Sequence, residues 1–395
     1  MRRRVLTALA VGAILLALTV GTYQGLLARR PLPTIDGYYR LLGLHQRAEV
    51  TRDAFGIPRI EAGDLHDLFF LQGYVTAQDR FAQMEAMRQG PSLVLLDALP
   101  AGDLGVALEA YAEGVTKFIA QHAEARALPA EVALTGRRPA PWTPADTLGI
   151  VADYFEVPSS SACVVVKGDR TFRGEALLAA DLSVDAPAPG WYELGLEGDG
   201  IHAVGLTLPG VPGIVAGHNG RVAWSFHARP GRPLDPLQAI AALLNAARAQ
   251  DANTVAGSEG PEVELAGCAV DTGGIALARA PLRGMPLGSI TVSGTATRTA
   301  QVMDAVFKTG RGLDVERMRR ALGRPEAAVS SARIVIDLGD LDASKAALST
   351  GQSGHPAAFH YLDQRALWEV GQLHALTWTR EEIARVEGQL VLRAR

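Results

Sequence analysis

Three serines in a row, Ser159, Ser160 and Ser161, stand immediately before the apolar run Ala162-Cys163-Val164-Val165-Val166. A hydroxyl at the head of a strand can act as a nucleophile once the peptide bond before it is cut, because the freed α-amino group of the same residue then accepts the hydroxyl proton. That amine has an ordinary pKa of about 7.7 to 8.0, so much of it is neutral near neutral pH without a histidine beside it. Such a site also needs fixed hydrogen-bond donors for the oxyanion of the tetrahedral intermediate. Taken by itself, the run reads as a polar turn entering a buried strand.

The elements that would position these serines begin with a chain of 395 residues, 48% hydrophobic and 20% charged, enough for a large core in one big domain or two. The formal charge is -4, and outside the N-terminus there is no Lys/Arg block, so nucleic acid is not an expected partner. Cys163 and Cys268 are too few for a disulfide framework and lack zinc-ligand spacing. They are expected to be two small buried side chains, with a single bridge left open for an oxidising compartment. At the N-terminus, Arg2, Arg3 and Arg4 precede an uncharged, mostly apolar run from Val5 to about Tyr23. Its length approaches the roughly 30 Å of bilayer hydrocarbon. Residues 1 to 30 therefore read as a signal peptide or signal anchor. The arginines stay cytoplasmic, and an exported body is tethered on the periplasmic side of the inner membrane, or secreted if the signal is cleaved.

Along the body, residues 48 to 62 read as strand, turn at Gly56 and Pro58, strand. A helix follows over residues 64 to 89, with Gly73 as an interruption. A second helix covers residues 103 to 125, and a third starts at about Pro144 with Thr143 as its N-cap. From Ala162 the period changes to that of strands separated by Gly/Pro turns. Residues 237 to 250 and 314 to 323 read as helices, and residues 331 to 340 as a strand. The fold class is α+β, with the sheet starting just after the serines.

Five blocks give the serines a context. "VTRDAFGIPRIEAGDLHDLFFLQGYVTAQDRFAQMEAMR" (residues 50 to 88), with its Arg-Asp, Gly-Ile-Pro and Ala77-Gln78-Asp79-Arg80 runs, closely resembles the opening of the small chain of the penicillin acylase (penicillin amidase) family. "EAYAEGVTKFI", "PAPWTPAD" and "LPGVPGIVAGHNGRVAW" follow in that family's order. The section containing Gly351-Gln352-Ser353-Gly354 and His360-Tyr361 resembles its close. The resemblance implies an αββα sandwich of the N-terminal-nucleophile hydrolase type, made as a precursor that cuts itself. Residues 36 to 159 are then a mostly helical, small-chain-like region, and residues 160 to 395 a large-chain-like region with the central sheets. It also implies Ser160 as nucleophile, with Ser161 as the alternative one register on, and the backbone N–H of Ala228 as an oxyanion donor. The expected partners are a small N-acyl substrate, the membrane, and the other half of a two-chain heterodimer.

The chain departs from that pattern at defined places. Ser159 replaces the glycine before the nucleophile, and only Asp181 is kept from the Asn-Asp-Pro-His stretch, now "AADLSVD". Glu264 or Leu265 stands where the resemblance implies an oxyanion-hole asparagine, and Arg283 where it implies that asparagine's orienting partner; Arg283 would then pair with Glu264. No cofactor is required. Of the family's structural calcium ligands only Asp235 has a match, against the six to eight oxygens calcium usually takes. His218 and Asn219 read as a hairpin tip, and Asp79 with Arg80 as a buried pair anchoring the first helix of the body. Two functional readings stand: an amidohydrolase for linear amides, and a catalytically impaired, membrane-tethered member with a binding or structural role.

Overall fold

The computed structural model describes residues 2–22, 32–90, 94, 96–156, 161–166, 176–184, 190–227, 235–252, 266–271, 276–279, 290–294, 330–376, 383 and 386–394. The apolar run after the arginines forms helix α1 (Arg2–Thr22), solvent-exposed along its length and long and apolar enough to cross a membrane. In length and composition it fits a signal sequence as well as an anchor.

The strand and turn signals after residue 36 place β1 (Gly37–Arg40), β2 (Ala48–Arg52) and β3 (Pro58–Glu61) at one end of a ten-stranded sheet. The sheet continues through β6 (Tyr192–Gly198), β7 (Ile201–Thr207), β8 (Ala216–His218), β9 (Val222–His227), β10 (Ala266–Asp271) and β11 (Ala276–Arg279). The last strand, β16 (Gly388–Arg393), returns to lie between β1 and β2, parallel to the former and antiparallel to the latter. A second sheet of six strands runs in the order β12 (Ile290–Gly294), β4 (Ala162–Val166), β5 (Leu177–Ser183), β13 (Ser330–Asp337), β14 (Lys345–Leu348), β15 (His374–Ala375). It packs against β8, β9 and β10, so β4 and β5, whose described side chains are all buried, lie between apolar neighbours.

Helices α2 (Leu65–Met87), α3 (Asp103–Glu124), α4 (Ala130–Ala133), α5 (Pro144–Glu156) and α6 (Pro236–Arg248) supply the helical part, with α2 and α6 resting on the ten-stranded sheet. Thr143 and Asp146 form a reciprocal cap at the head of α5, the Asp146 carboxylate accepting from Thr143 N at 2.7 Å. The expected interruption at Gly73 is absent: α2 runs straight through. The glycine is there because α2 and α3 cross at touching distance, where a Cβ on Gly73 would strike the Tyr111 carbonyl and one on Gly114 the Phe70 carbonyl. On the six-stranded sheet, a short helix α7 (Arg365–Glu369) touches β14. The helix expected over residues 314 to 323 lies outside the described residues.

The expectation of two free buried thiols is corrected. Cys163 on β4 and Cys268 on β10 face each other across the gap between the sheets with Cα atoms 6.2 Å apart, and they form a disulfide. Sequence spacing could not show this, because the pairing depends on which strands of two different sheets come face to face.

Candidate active site

Strand β4 starts, and strand β9 ends, beside the hydroxyl of Tyr154 on α5. Tyr154 Oη points toward the Phe226 carbonyl oxygen, 3.5 Å away, and lies beside the Ser161 side chain. Burial holds this phenol far above its ordinary range, and the contact with Ser161 only partly offsets that, so it stays protonated. Trp191 stands edge-on to Tyr154, with 5.5 Å between ring centres. Ser161 is buried, and its Oγ accepts from Ser183 N at 2.9 Å and lies 3.3 Å from the Ser183 carbonyl. Its hydroxyl thus fastens the head of β4 to the end of β5.

Asp181, the residue kept from the "AADLSVD" stretch, sits opposite Ala162 on one side and Arg333 on the other in the strand register. Arg333 Nε lies 3.6 Å from the Asp181 carboxylate, and its guanidinium lies 3.8 Å from the centre of the Trp368 ring, with both charged groups buried. One face of the six-stranded sheet near the start of β4 therefore carries a fixed ion pair with an aromatic cover.

Ser160 immediately precedes this edge in sequence and Ala228 immediately follows β9, but both lie outside the described residues, as do Glu264 and Arg283. Asp235 is the N-cap of α6, its carboxylate accepting from Leu237 N at 2.9 Å at an exposed position. Among the described residues it is not part of any group of metal-binding side chains; the group that does form is His45, Asp64, His66 and Asp67.

The expected Asp79–Arg80 pair is also corrected. Neighbours on a helix point about 100° apart. Asp79 turns instead to Arg52 at 2.8 Å and to the Tyr192 hydroxyl. Arg80 bonds the carbonyls of Trp191, Gly351 and Gln352 at 2.9, 2.8 and 2.6 Å. Gly354 N donates to the Asp79 carbonyl at 2.8 Å, so the first and last motif blocks meet at this point. His218 and Asn219 serve the hairpin, as expected. Asn219 Nδ2 donates to the Ala249 carbonyl at 2.8 Å, and its Oδ1 accepts from Val222 N at 2.8 Å. Burial, with His202 adding to it, drives His218 down to about 3, leaving a neutral ring. Tyr154 and Arg333 were not singled out from sequence, since a tyrosine in an amphipathic helix and an arginine in a strand carry no spacing signal.

A sequence model of the penicillin amidase family matches residues 47–90, 96–155, 151–229 and 240–385. The chain belongs to this family. Among curated proteins it is similar to an acyl-homoserine lactone acylase QuiP of Pseudomonas fluorescens, 25% identical in an alignment 298 positions long that covers 50% of this chain and 36% of that protein. It is also similar to a penicillin acylase 2 proenzyme of a Pseudomonas species, 26% identical in an alignment 293 positions long that covers 49% of this chain and 38% of the other. The aligned part thus spans little more than a third of these relatives. A thermostable penicillin G acylase from Alcaligenes faecalis is 25% identical where it superposes, over 27% of this chain and 71% of that one, with a TM-score of 0.24.

Proposed function

We propose that this family member is an exported hydrolase of linear N-acyl amides whose nucleophile is Ser160, freed by cleavage of the Ser159–Ser160 bond within an αββα sandwich of the N-terminal-nucleophile type. The observation that carries the proposal is the anchored head of β4, where the buried Ser161 Oγ accepts from Ser183 N at 2.9 Å at the residue immediately after Ser160. Ser161 is committed to Ser183, which favours Ser160 over Ser161 in the nucleophile's role.

Ser160 Oγ attacks the amide carbon while its own α-amine takes the hydroxyl proton. The Ala228 N–H receives the oxyanion. Collapse breaks the carbon–nitrogen bond, the ammonium returns its proton to the departing amine, and water then releases the acyl group from Ser160 by the same route. Arg283 is assigned to neutralise Glu264, whose charge would otherwise oppose the oxyanion. No cofactor enters these steps. After cleavage, residues 36–159 and 160–395 would remain together without a covalent link, since β2 pairs with β16, β3 pairs with β6, and Arg80 bonds the 351–352 carbonyls. Helix α1 would act as the anchor or signal that brings this body across the membrane.

The names of the relatives direct the choice of substrates: N-acyl-homoserine lactones and penicillins, assayed by the primary amine released. The wild-type chain is expected to release amine from at least one of them, and Ser160→Ala from none. The second reading, a non-catalytic member, is favoured by Ser159 in place of glycine and by the lack of any asparagine from Ser258 to Ile275. Equal, blank-level rates for wild type and Ser160→Ala on every substrate would decide for it.

A further inference from the structure

Four donor side chains meet where the loop before β2 reaches the head of α2. They are His45, Asp64, His66 and Asp67, one ligand atom from each lying within 4.8 Å of all the others. Asp67 is thirteen residues before Arg80 on the same helix, roughly 20 Å along its axis, so the cluster is separate from the edge near Tyr154. His45 Nδ1 is 3.4 Å from Asp64 Oδ2 and 3.9 Å from Asp67 Oδ1, and His66 Nδ1 is 3.1 Å from Asp67 Oδ1. Four donors bound tetrahedrally to zinc through nitrogen and oxygen stand about 3.3 to 3.6 Å apart.

The surroundings fit an ion as well as the spacing does. Asp67 is fully buried, and its carboxylate is held in place by His45 N at 2.9 Å and Gln46 N at 2.8 Å. Asp64 is fixed by Asp67 N at 2.8 Å. The far nitrogen of His66, Nε2, faces the Glu113 carboxylate of α3 at 3.3 Å. A carboxylate on the remote nitrogen sets the tautomer that leaves the near nitrogen free to ligate and raises its basicity. Two carboxylates balance a dication, and they also offset the positive end of α2, which would repel a lone cation. One adjustment is needed. The His45 and His66 rings are stacked 4.1 Å apart at 18°, so their lone pairs run side by side. The His45 side chain is 58% exposed and can swing its ring to converge on the ion.

We propose that His45, Asp64, His66 and Asp67 form a zinc site, with Glu113 orienting His66, that pins the loop before β2 to the head of α2 and the middle of α3. Zinc suits this set of imidazole and carboxylate donors in a four-coordinate site.

The test uses the full chain without an affinity tag, stripped with a chelator and titrated with zinc chloride by calorimetry and by competition with a chromogenic chelator. One equivalent is expected to bind at micromolar affinity or tighter. Glu113→Gln should weaken it about 10- to 100-fold. His45→Gln, at an exposed position where folding is not at stake, should weaken it at least as much, and His45→Gln/His66→Gln should abolish it. His360→Gln, which removes a histidine held by Asp363 and Glu387 elsewhere, should leave the affinity unchanged. Absence of a saturable equivalent in the wild-type chain, or unchanged affinity in His45→Gln, would overturn the proposal and leave the cluster held by protons alone.

Discussion

His374 illustrates how a buried charge is held in this molecule. Burial alone would lower its pKa, but the Glu193 carboxylate 3.2 Å from Nε2 outweighs that and lifts it to about 9. A group whose folded pKa lies above its unfolded value of about 6.5 contributes stability that is complete below that value. The contribution is lost as pH rises through about 9. It is on the order of 3 kcal/mol. Urea unfolding of wild type should therefore show stability falling between pH 6.5 and 9 more steeply than in His374→Gln, and parallel curves would remove His374 as the cause. At this scale the sequence was partly legible. The runs containing Asp79, Arg80, Gly351 and Gln352 were correctly marked as special, yet their partners were not readable. Asp79 meets Arg52 from a strand, and Arg80 meets backbone carbonyls more than a hundred residues away along the chain, contacts that only the assembled fold creates.

Among the elements, periodicity placed α2, α3 and α6, periodicity with the Thr143 cap placed α5, and the turn at Gly56 and Pro58 placed the strand–turn–strand of β2 and β3, all close to where they lie. Gly73 was misread for a physical reason: a glycine that breaks a helix and one that lets two helices touch look the same in one dimension. The disulfide has consequences at this scale. It ties β4, whose head follows Ser160, to β10, which pairs with β9 along its length, and it closes a loop of 105 residues. Closing a loop of that size is worth about 2 to 5 kcal/mol. The denatured, unreduced chain should show no thiol toward a thiol reagent, and Cys163→Ala/Cys268→Ala should lower the urea midpoint to the value that wild type shows in reductant. Two reactive thiols in the unreduced chain, or a midpoint unmoved by reductant, would refute the bridge. Its presence accords with an exported body, since disulfides persist in oxidising compartments.

At the scale of the whole molecule, the two stretches on either side of the serines do not form separate bodies. The first supplies β1, β2 and β3 to the same sheet as β6 to β11, and the last strand of the chain, β16, closes between β1 and β2. This interleaving lets one peptide bond near Ser160 be cut without the halves parting, and it could not be read from the order of elements alone, because strand pairing between chain ends leaves no local signal. Catalysis by Ser160 requires that cut. The most direct measurement is the intact mass and N-terminal sequence of the purified protein, made alongside Ser160→Ala and Ser161→Ala. A fragment starting at Ser160 in wild type and Ser161→Ala, with Ser160→Ala left whole, is the result expected. A wild-type chain recovered uncut, or a fragment starting at Ser161, would contradict it.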